Sequence, residues 1–156
     1  MKLSKRFKLI ISILCPGAVG FLSSVATMSS MSTWYQTLSK PIFTPPDWLF
    51  APVWTGLYVL MGFAFYEIWI NKKKDKKMAI SLFIIQLILN GLWSIIFFGL
   101  KMPLFAFIEL IILLGLIITT TYYFRKIFKP AAWLMYPYIL WVVFAGALNL
   151  GIVILN

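Results

Sequence analysis

Residues 40–62 read KPIFTPPDWLFAPVWTGLYVLMG. Four prolines, two tryptophans and two phenylalanines crowd the front of this stretch, and from Val53 to Tyr66 the chain then runs apolar without a charge. Proline removes a backbone donor, which a helix in lipid can least spare, because no water is there to replace the lost hydrogen bond. The contrast therefore separates an aromatic, proline-bearing loop at a membrane surface from a helix that crosses the membrane. Thr44-Pro45-Pro46-Asp47 reads as the helix start, with Thr44 as N-cap, Pro45 at the first helical position and Asp47 as a capping carboxylate. Pro52, about one and a half turns in, is expected to kink the helix and open space beside it. Trp48 suits an interfacial aromatic belt. Trp54 lies deeper than a belt needs and shares a face with Tyr58, which favours a pocket.

The rest of the chain agrees with a membrane reading. It has 156 residues, of which 62% are hydrophobic and only 12% charged, with a mean hydropathy of +0.95. Soluble domains sit nearer a quarter charged. Charge-poor runs fall at 9–31, 50–71, 78–100, 103–124 and 131–155, each about 20 residues or more and so long enough to span ~30 Å of hydrocarbon. The expected fold is all-α: five transmembrane helices in one bundle, forming a single domain over residues 1–156. The first run is too long for the h-region of a signal peptide, about 7–15 residues, and reads as a retained span.

The net charge of +10 invites a nucleic-acid partner, but its distribution argues for none. Lys2, Lys5, Arg6 and Lys8 precede the first run, and Lys72, Lys73, Lys74, Lys76 and Lys77 fill a connector. Basic residues in such places set orientation and meet lipid headgroups. One side of the membrane carries twelve basic residues and the other only Lys40 and Lys101. The bias predicts an integral protein of the bacterial cell membrane with a cytoplasmic N-terminus and its C-terminus outside. Glu67, near Lys72 and Lys73, reads as half of a solvated ion pair.

The residues present exclude much chemistry. The chain has no histidine and a single cysteine, Cys15. That removes histidine-dependent nucleophile systems, histidine ligation of metal, and disulfides within the chain. No metal site and no cofactor are expected, and no hydrolase or transferase constellation is visible.

Two stripes carry the remaining polar groups. Gln86, Asn90, Trp93 and Phe97 recur at helical spacing in the third span, with Ser94 beside them, and Tyr138, Trp141, Ala145 and Asn149 do so in the fifth. Amides at membrane depth need partners, so both stripes should face the interior, as helix–helix glue or as pocket lining. In the first span Pro16, Gly20, Ser23 and Thr27 share a face whose default use is close packing. Glu109 is either a functional carboxylate or a structural hydrogen-bonder, since an unpaired ionised one costs about 3 kcal/mol or more in a membrane.

Together these residues resemble the TspO/MBR family, the translocator protein or peripheral benzodiazepine receptor homologues. The matching pieces are Trp34-Tyr35, Lys40-Pro41 and Pro45-Pro46-x-Trp48 in the loop, then Pro52-Val53-Trp54-x-x-Leu57-Tyr58-x-x-Met61-Gly62. Gln86-Leu87-x-Leu89-Asn90-x-x-Trp93 and Pro103-x-x-Ala106-x-x-Glu109 follow. Pro137-Tyr138-x-x-Trp141-x-x-Phe144-Ala145-x-x-Leu148-Asn149 closes the series. The resemblance implies a homodimer of five-helix bundles with a ligand pocket under the first loop. It also implies binding of porphyrins, sterols and benzodiazepine-receptor-type ligands, and in bacterial members light-dependent breakdown of protoporphyrin IX. Carried over by motif, the ligand-binding residues are Tyr35, Phe50, Ala51, Trp54, Asn90, Trp93, Trp141, Ala145 and Leu148. The sequence ends at Asn156 without the animal cholesterol motif, so sterol binding is not among the expectations.

Three functions follow. The first is binding of a porphyrin or other hydrophobic small molecule, with photooxidative degradation in which Trp54 and Trp141 donate electrons. The second is transport of tetrapyrroles or similar amphiphiles. The third is a structural or stress-sensing scaffold in which the aromatic stripes only pack.

Overall fold

The computed structural model describes residues 4–73 and 76–156. Lys2 and Lys74, two of the basic flanking residues, lie outside them. Five helical stretches are long and apolar enough to cross a membrane: Lys5–Met31, Asp47–Ile70, Lys76–Gly99, Pro103–Ile127 and Lys129–Leu155. The helical elements are α1 (Lys5–Met31), α2 (Trp34–Thr37), α3 (Phe50–Ile70), α4 (Lys76–Ser94), α5 (Pro103–Ile127), α6 (Lys129–Trp133) and α7 (Tyr136–Leu155). Among the described residues there is no strand. The spans pack as a closed ring in the order α1, α3, α7, α5, α4. Lys5, Lys76 and Lys129 sit inside the first turns of their helices, where a long stem lets the ammonium reach the surface; the observed helices there start a few residues before the apolar runs.

The opening stretch folds differently from expectation at its start. Thr44 does not cap a helix. Its N–H and its hydroxyl both bond to the carbonyl of Pro41, at 3.0 and 2.7 Å, closing a turn. The helix begins with a 3-10 turn at Asp47–Leu49 behind Pro46, and Leu49 N–H reaches the Pro46 carbonyl at 2.9 Å. Two successive prolines favour extended backbone at Thr44 and Pro45, which delays helix entry by two residues, to Asp47. Pro52 then falls in the first turn of α3. Its missing N–H falls there where it costs least, just behind the 3-10 entry turn.

Two other elements bear on the site. Helix α4 continues into a π-helical turn at Ile95–Gly99, where Leu100 N–H bonds to the Ile95 carbonyl five residues back at 2.8 Å. Phe97 and Phe98, neighbours in sequence, are consequently both buried. The loop after α2 is fastened to the end of α7. Ser39 N–H donates to Asn156 Oδ1 and Asn156 Nδ2 donates to the Ser39 carbonyl, each at 3.0 Å, while Pro41 lies against Gly151.

Apolar side chains make two cores. At the end away from the loop, Phe65, Phe83 and Phe124 stack with ring centroids 4.6 and 5.9 Å apart, above Ile68, Ile127 and Ala131. At the loop end Tyr35, Phe97, Phe98, Ala106 and Ile152 form a smaller cluster. Large side chains such as Leu14, Leu22, Ile88, Ile112 and Leu140 face outward, as a helix bundle in lipid allows. The expected ion pair of Glu67 does not form among the described residues. Lys73 instead donates to the Lys126 carbonyl at 2.8 Å, at the C-terminal turn of α5, where a cation meets the negative end of the helix dipole.

Candidate functional site

Between the two cores lies a cavity of about 1290 Å³, above the ~300–1,000 Å³ usual for small-molecule sites. Its walls come from α1, α3, α4 with its π-turn, and α7, and the loop around α2 roofs it. Tyr35, Phe50, Ala51, Trp54, Asn90, Trp93, Trp141, Ala145 and Leu148 all line it. The motif-based set is thus brought together at one place, although its members come from four separate elements.

The floor is built on hydrogen bonds that the polar stripes require. Tyr58 O–H donates to Asn90 Oδ1 at 2.6 Å, Asn90 Nδ2 donates to Tyr138 Oη at 2.9 Å, and Tyr138 O–H donates to Gln86 Oε1 at 3.1 Å. This chain links α3, α4 and α7 where no water competes. Asn90 therefore serves both readings at once: it joins helices and it faces the cavity. Trp54 stacks on Tyr58, with centroids 5.5 Å apart and planes at 28°, and meets Tyr138 edge-on at 6.2 Å.

The opposite end is aromatic as well. Trp93 stacks on Phe97 at 5.1 Å and 19°, and its N–H donates to Asn149 Oδ1 at 3.3 Å. Asn149 Nδ2 in turn donates to the Pro103 carbonyl at 2.8 Å, so this amide also joins helices. Trp141 packs edge-on to Phe50 at 5.9 Å. Its buried N–H has no hydrogen-bond acceptor among the described residues, in contrast to that of Trp93. A buried N–H without a partner is costly, by about 1–3 kcal/mol, and is suited to a ligand acceptor.

The roof is polar outside and aromatic beneath. Tyr35 is buried, with its ring 6.3 and 5.6 Å from those of Phe97 and Phe98. Lys40 Nζ sits 4.1 Å from the Tyr35 ring centroid and donates to Gln36 Oε1 at 3.1 Å. Gln36 Nε2 donates to Asp47 Oδ2 at 2.8 Å and to the Met31 carbonyl at 3.0 Å. Burial, with a smaller contribution from the nearby Asp47 charge, pushes the Tyr35 phenol up to about 12.

Sequence reasoning missed two parts of the site. Helix α1 was expected to use its small residues for close packing. Gly20 does so, against the Tyr58 ring, but Gly17, Ser23, Ser24 and Thr27 line the cavity. Hydroxyls in an otherwise apolar span were the available signal. The second is the π-turn, which turns Phe98 inward beside Phe97 and has no marker in Ile95-Ile96-Phe97-Phe98-Gly99. Glu109 does not line the cavity; it is buried behind it on α5, and neither carboxyl oxygen has a hydrogen-bond partner among the described residues. Gly20 and Gly151 are both engaged within the chain, against Tyr58 and Pro41.

Among the described residues no group of three or more His, Cys, Asp or Glu side chains is placed to hold a metal ion. What the site can do is take up a flat, largely apolar molecule between indole and phenyl faces.

Comparison with known proteins identifies relatives. The TspO/MBR family matches residues 12–155. The chain is 44% identical over 150 residues to a tryptophan-rich protein TspO of Archaeoglobus fulgidus, covering 96% of this chain and 97% of that one. It is 34% identical over 139 residues to the translocator protein of Homo sapiens, covering 87% and 82%. It is 30% identical over 139 residues to a tryptophan-rich sensory protein of Cereibacter sphaeroides, covering 89% and 87%.

Proposed function

This chain belongs to the TspO/MBR family of integral membrane proteins, and from that premise we propose that it binds protoporphyrin IX and promotes its light-dependent degradation. The observation that carries this reading is the aromatic cavity of about 1290 Å³ with the unpartnered N–H of Trp141 buried in its wall. A porphyrin is a flat apolar disc with carboxylates on one edge. Indole and phenyl faces stack on such a disc. A chain without histidine suits the metal-free macrocycle. The same apolar walls would accept benzodiazepine-receptor-type ligands.

Trp54 and Trp141 are the electron donors. Light excites the bound porphyrin, which takes one electron from an indole. The indole N–H proton follows, leaving an indolyl radical and a hydroporphyrin radical. Dioxygen is the oxidant that adds to the latter and begins opening of the ring.

To test this, purified protein is titrated with protoporphyrin IX in the dark and then illuminated in air, beside Trp141→Phe. The expected outcome is saturable quenching of tryptophan emission in both proteins, with slower porphyrin loss in the variant. Equal loss in both proteins and in protein-free solution would end the degradation reading; absence of saturable quenching would end the binding one.

A transporter of tetrapyrroles or similar amphiphiles is the second reading, favoured by the buried, unpaired carboxyl of Glu109. Glu109→Gln should then abolish proton-linked flux in sealed vesicles. Membrane orientation follows the charge bias in this proposal, with the N-terminus cytoplasmic and the C-terminus outside the cell, and a reporter fused after Asn156 reads it directly. The bundle is taken to act as a homodimer, which cross-linking in native membranes tests.

A further inference from the structure

We propose that the cavity is loaded from the lipid phase through a gap between α1 and α3 at the loop end, by an amphiphile already dissolved in that half of the bilayer. The inference rests on reading the cavity as a ligand site, and not on the ligand being a porphyrin.

The gap follows from how α1 is held. On one side α1 stays against α4 along its length. Gly91 faces Val19 and Ser23, where an added Cβ would lie 3.1 and 3.7 Å from them, and near the loop Ser30 O–H donates to the Phe98 carbonyl at 2.6 Å. On the other side, the glycine contacts between α1 and α3 lie away from the loop. A Cβ at Gly62 would meet Ile13 Cα at 2.8 Å and the Ser12 carbonyl at 2.9 Å, and Gly20 lies against Tyr58. The flank of α3 that carries Gly62 and Tyr58 continues at helical spacing to Thr55 and Ala51. These two are exposed, yet they line the cavity. Across from them on α1, Phe21, Ser24 and Met28 are likewise exposed and cavity-lining, Phe21 at 69% and Met28 at 70%. One surface thus belongs to both the cavity and the lipid-facing side of the bundle.

The chemistry of this rim excludes an aqueous entrance. Its hydroxyls are turned back onto their own helices: Ser24 donates to the Phe21 carbonyl at 2.7 Å, Thr27 to Ser23 at 2.9 Å and Thr55 to Ala51 at 2.8 Å. The rim therefore presents methyl and methylene groups to the membrane. No Lys or Arg lines the cavity among the described residues, and its one charged lining group, Asp47, is exposed at the roof and bonded to Gln36. The route from water instead crosses the polar roof, where Gln36 is tied to Asp47 and Met31 and Asn156 to Ser39. An entering molecule brings its apolar body in edge-on. Any carboxylate it carries stays at the gap, near the headgroups, because nothing inside compensates its charge.

The test uses full-length protein in two vesicle preparations, with Thr55→Phe and Ser24→Leu, singly and together, as plugs and Asn156→Ala as a loosened roof. In vesicles of phosphatidylcholine brominated midway along its chains, with no ligand added, cavity tryptophans of the wild type should be quenched, and the plugs should relieve part of that quenching. In ordinary vesicles carrying protoporphyrin IX, association and dissociation should both slow by about tenfold in the plugged proteins, while Asn156→Ala keeps the wild-type rates. Circular dichroism and unfolding midpoints identify any plug that fails to fold, and the single substitutions then stand in for the double. Equal bromine quenching in plugged and wild-type protein overturns the proposal. So do porphyrin rates that ignore the plugs and rise in Asn156→Ala. Relief of bromine quenching without porphyrin binding sustains the gap and removes the porphyrin reading instead.

Discussion

Asn90→Ala tests whether the cavity floor is held by its hydrogen bonds or by shape alone. The side chain is buried, and it accepts from Tyr58 at 2.6 Å and donates to Tyr138 at 2.9 Å. Interhelical hydrogen bonds in membrane proteins average about 0.6 kcal/mol and reach about 1.7. The short, buried Tyr58 bond belongs near the upper figure and the Tyr138 bond near the mean, so Asn90→Ala should destabilise the bundle by about 2 kcal/mol. Tyr138 keeps its acceptor on Gln86, whereas Tyr58 loses the acceptor of its hydroxyl. Tyr58→Phe breaks the first bond alone and should cost about 1–1.5 kcal/mol. The double variant should then cost little more than Asn90→Ala, giving a coupling of about 1 kcal/mol. Reversible unfolding in mixed micelles with increasing SDS measures all four corners of the cycle. If the two substitutions add to within about 0.5 kcal/mol, the bond carries no energy and the account of the floor is wrong.

Other outcomes follow from the same geometry. Gly62→Ala places a Cβ against α1 backbone and should cost about 1–3 kcal/mol in the same unfolding assay. Gly17→Ala and Gly115→Ala meet nothing within 4 Å, so each should be neutral or stabilise by up to about 1 kcal/mol. The Tyr35 phenol, held up to about 12, stays neutral where the unfolded chain's tyrosine ionises near 10. Its contribution is whole below pH 10 and is lost as pH rises toward 12, so wild type should lose stability faster than Tyr35→Phe over that window. Asn156→Ala should raise amide hydrogen exchange at Ser39 and its neighbours and leave α4 and α5 unaffected.

The five spans were legible because length and charge decide them: hydrocarbon thickness sets a minimum run, and lysines mark its ends. The two polar stripes were legible for a similar reason, since Asn90 and Asn149 must find partners in lipid. The helix entry was misread at Thr44 because capping patterns are local, whereas Pro41 offered a competing turn. Helix α1 was half legible. Spacing tells which small residues share a face but not whether a neighbour fills the space opposite; Gly20 meets the Tyr58 ring and Ser23 faces Gly91, whereas Ser24 and Thr27 border a void. The hydrogen-bonded chain from Tyr58 to Gln86 joins residues from three helices, and no periodicity within one helix reports it.

The π-helical turn at Ile95–Gly99 amounts to one residue more than an α-helix would need between Asn90 and Pro103. Removing a single residue there would let the helix close normally with its flanks held in place, and leave one phenylalanine rather than two to point inward. Chain-length differences between relatives are usually sought in connectors. Here a gap of one position belongs inside a transmembrane helix, and a relative one residue shorter at this point would be expected to have a differently shaped cavity end rather than a shorter loop.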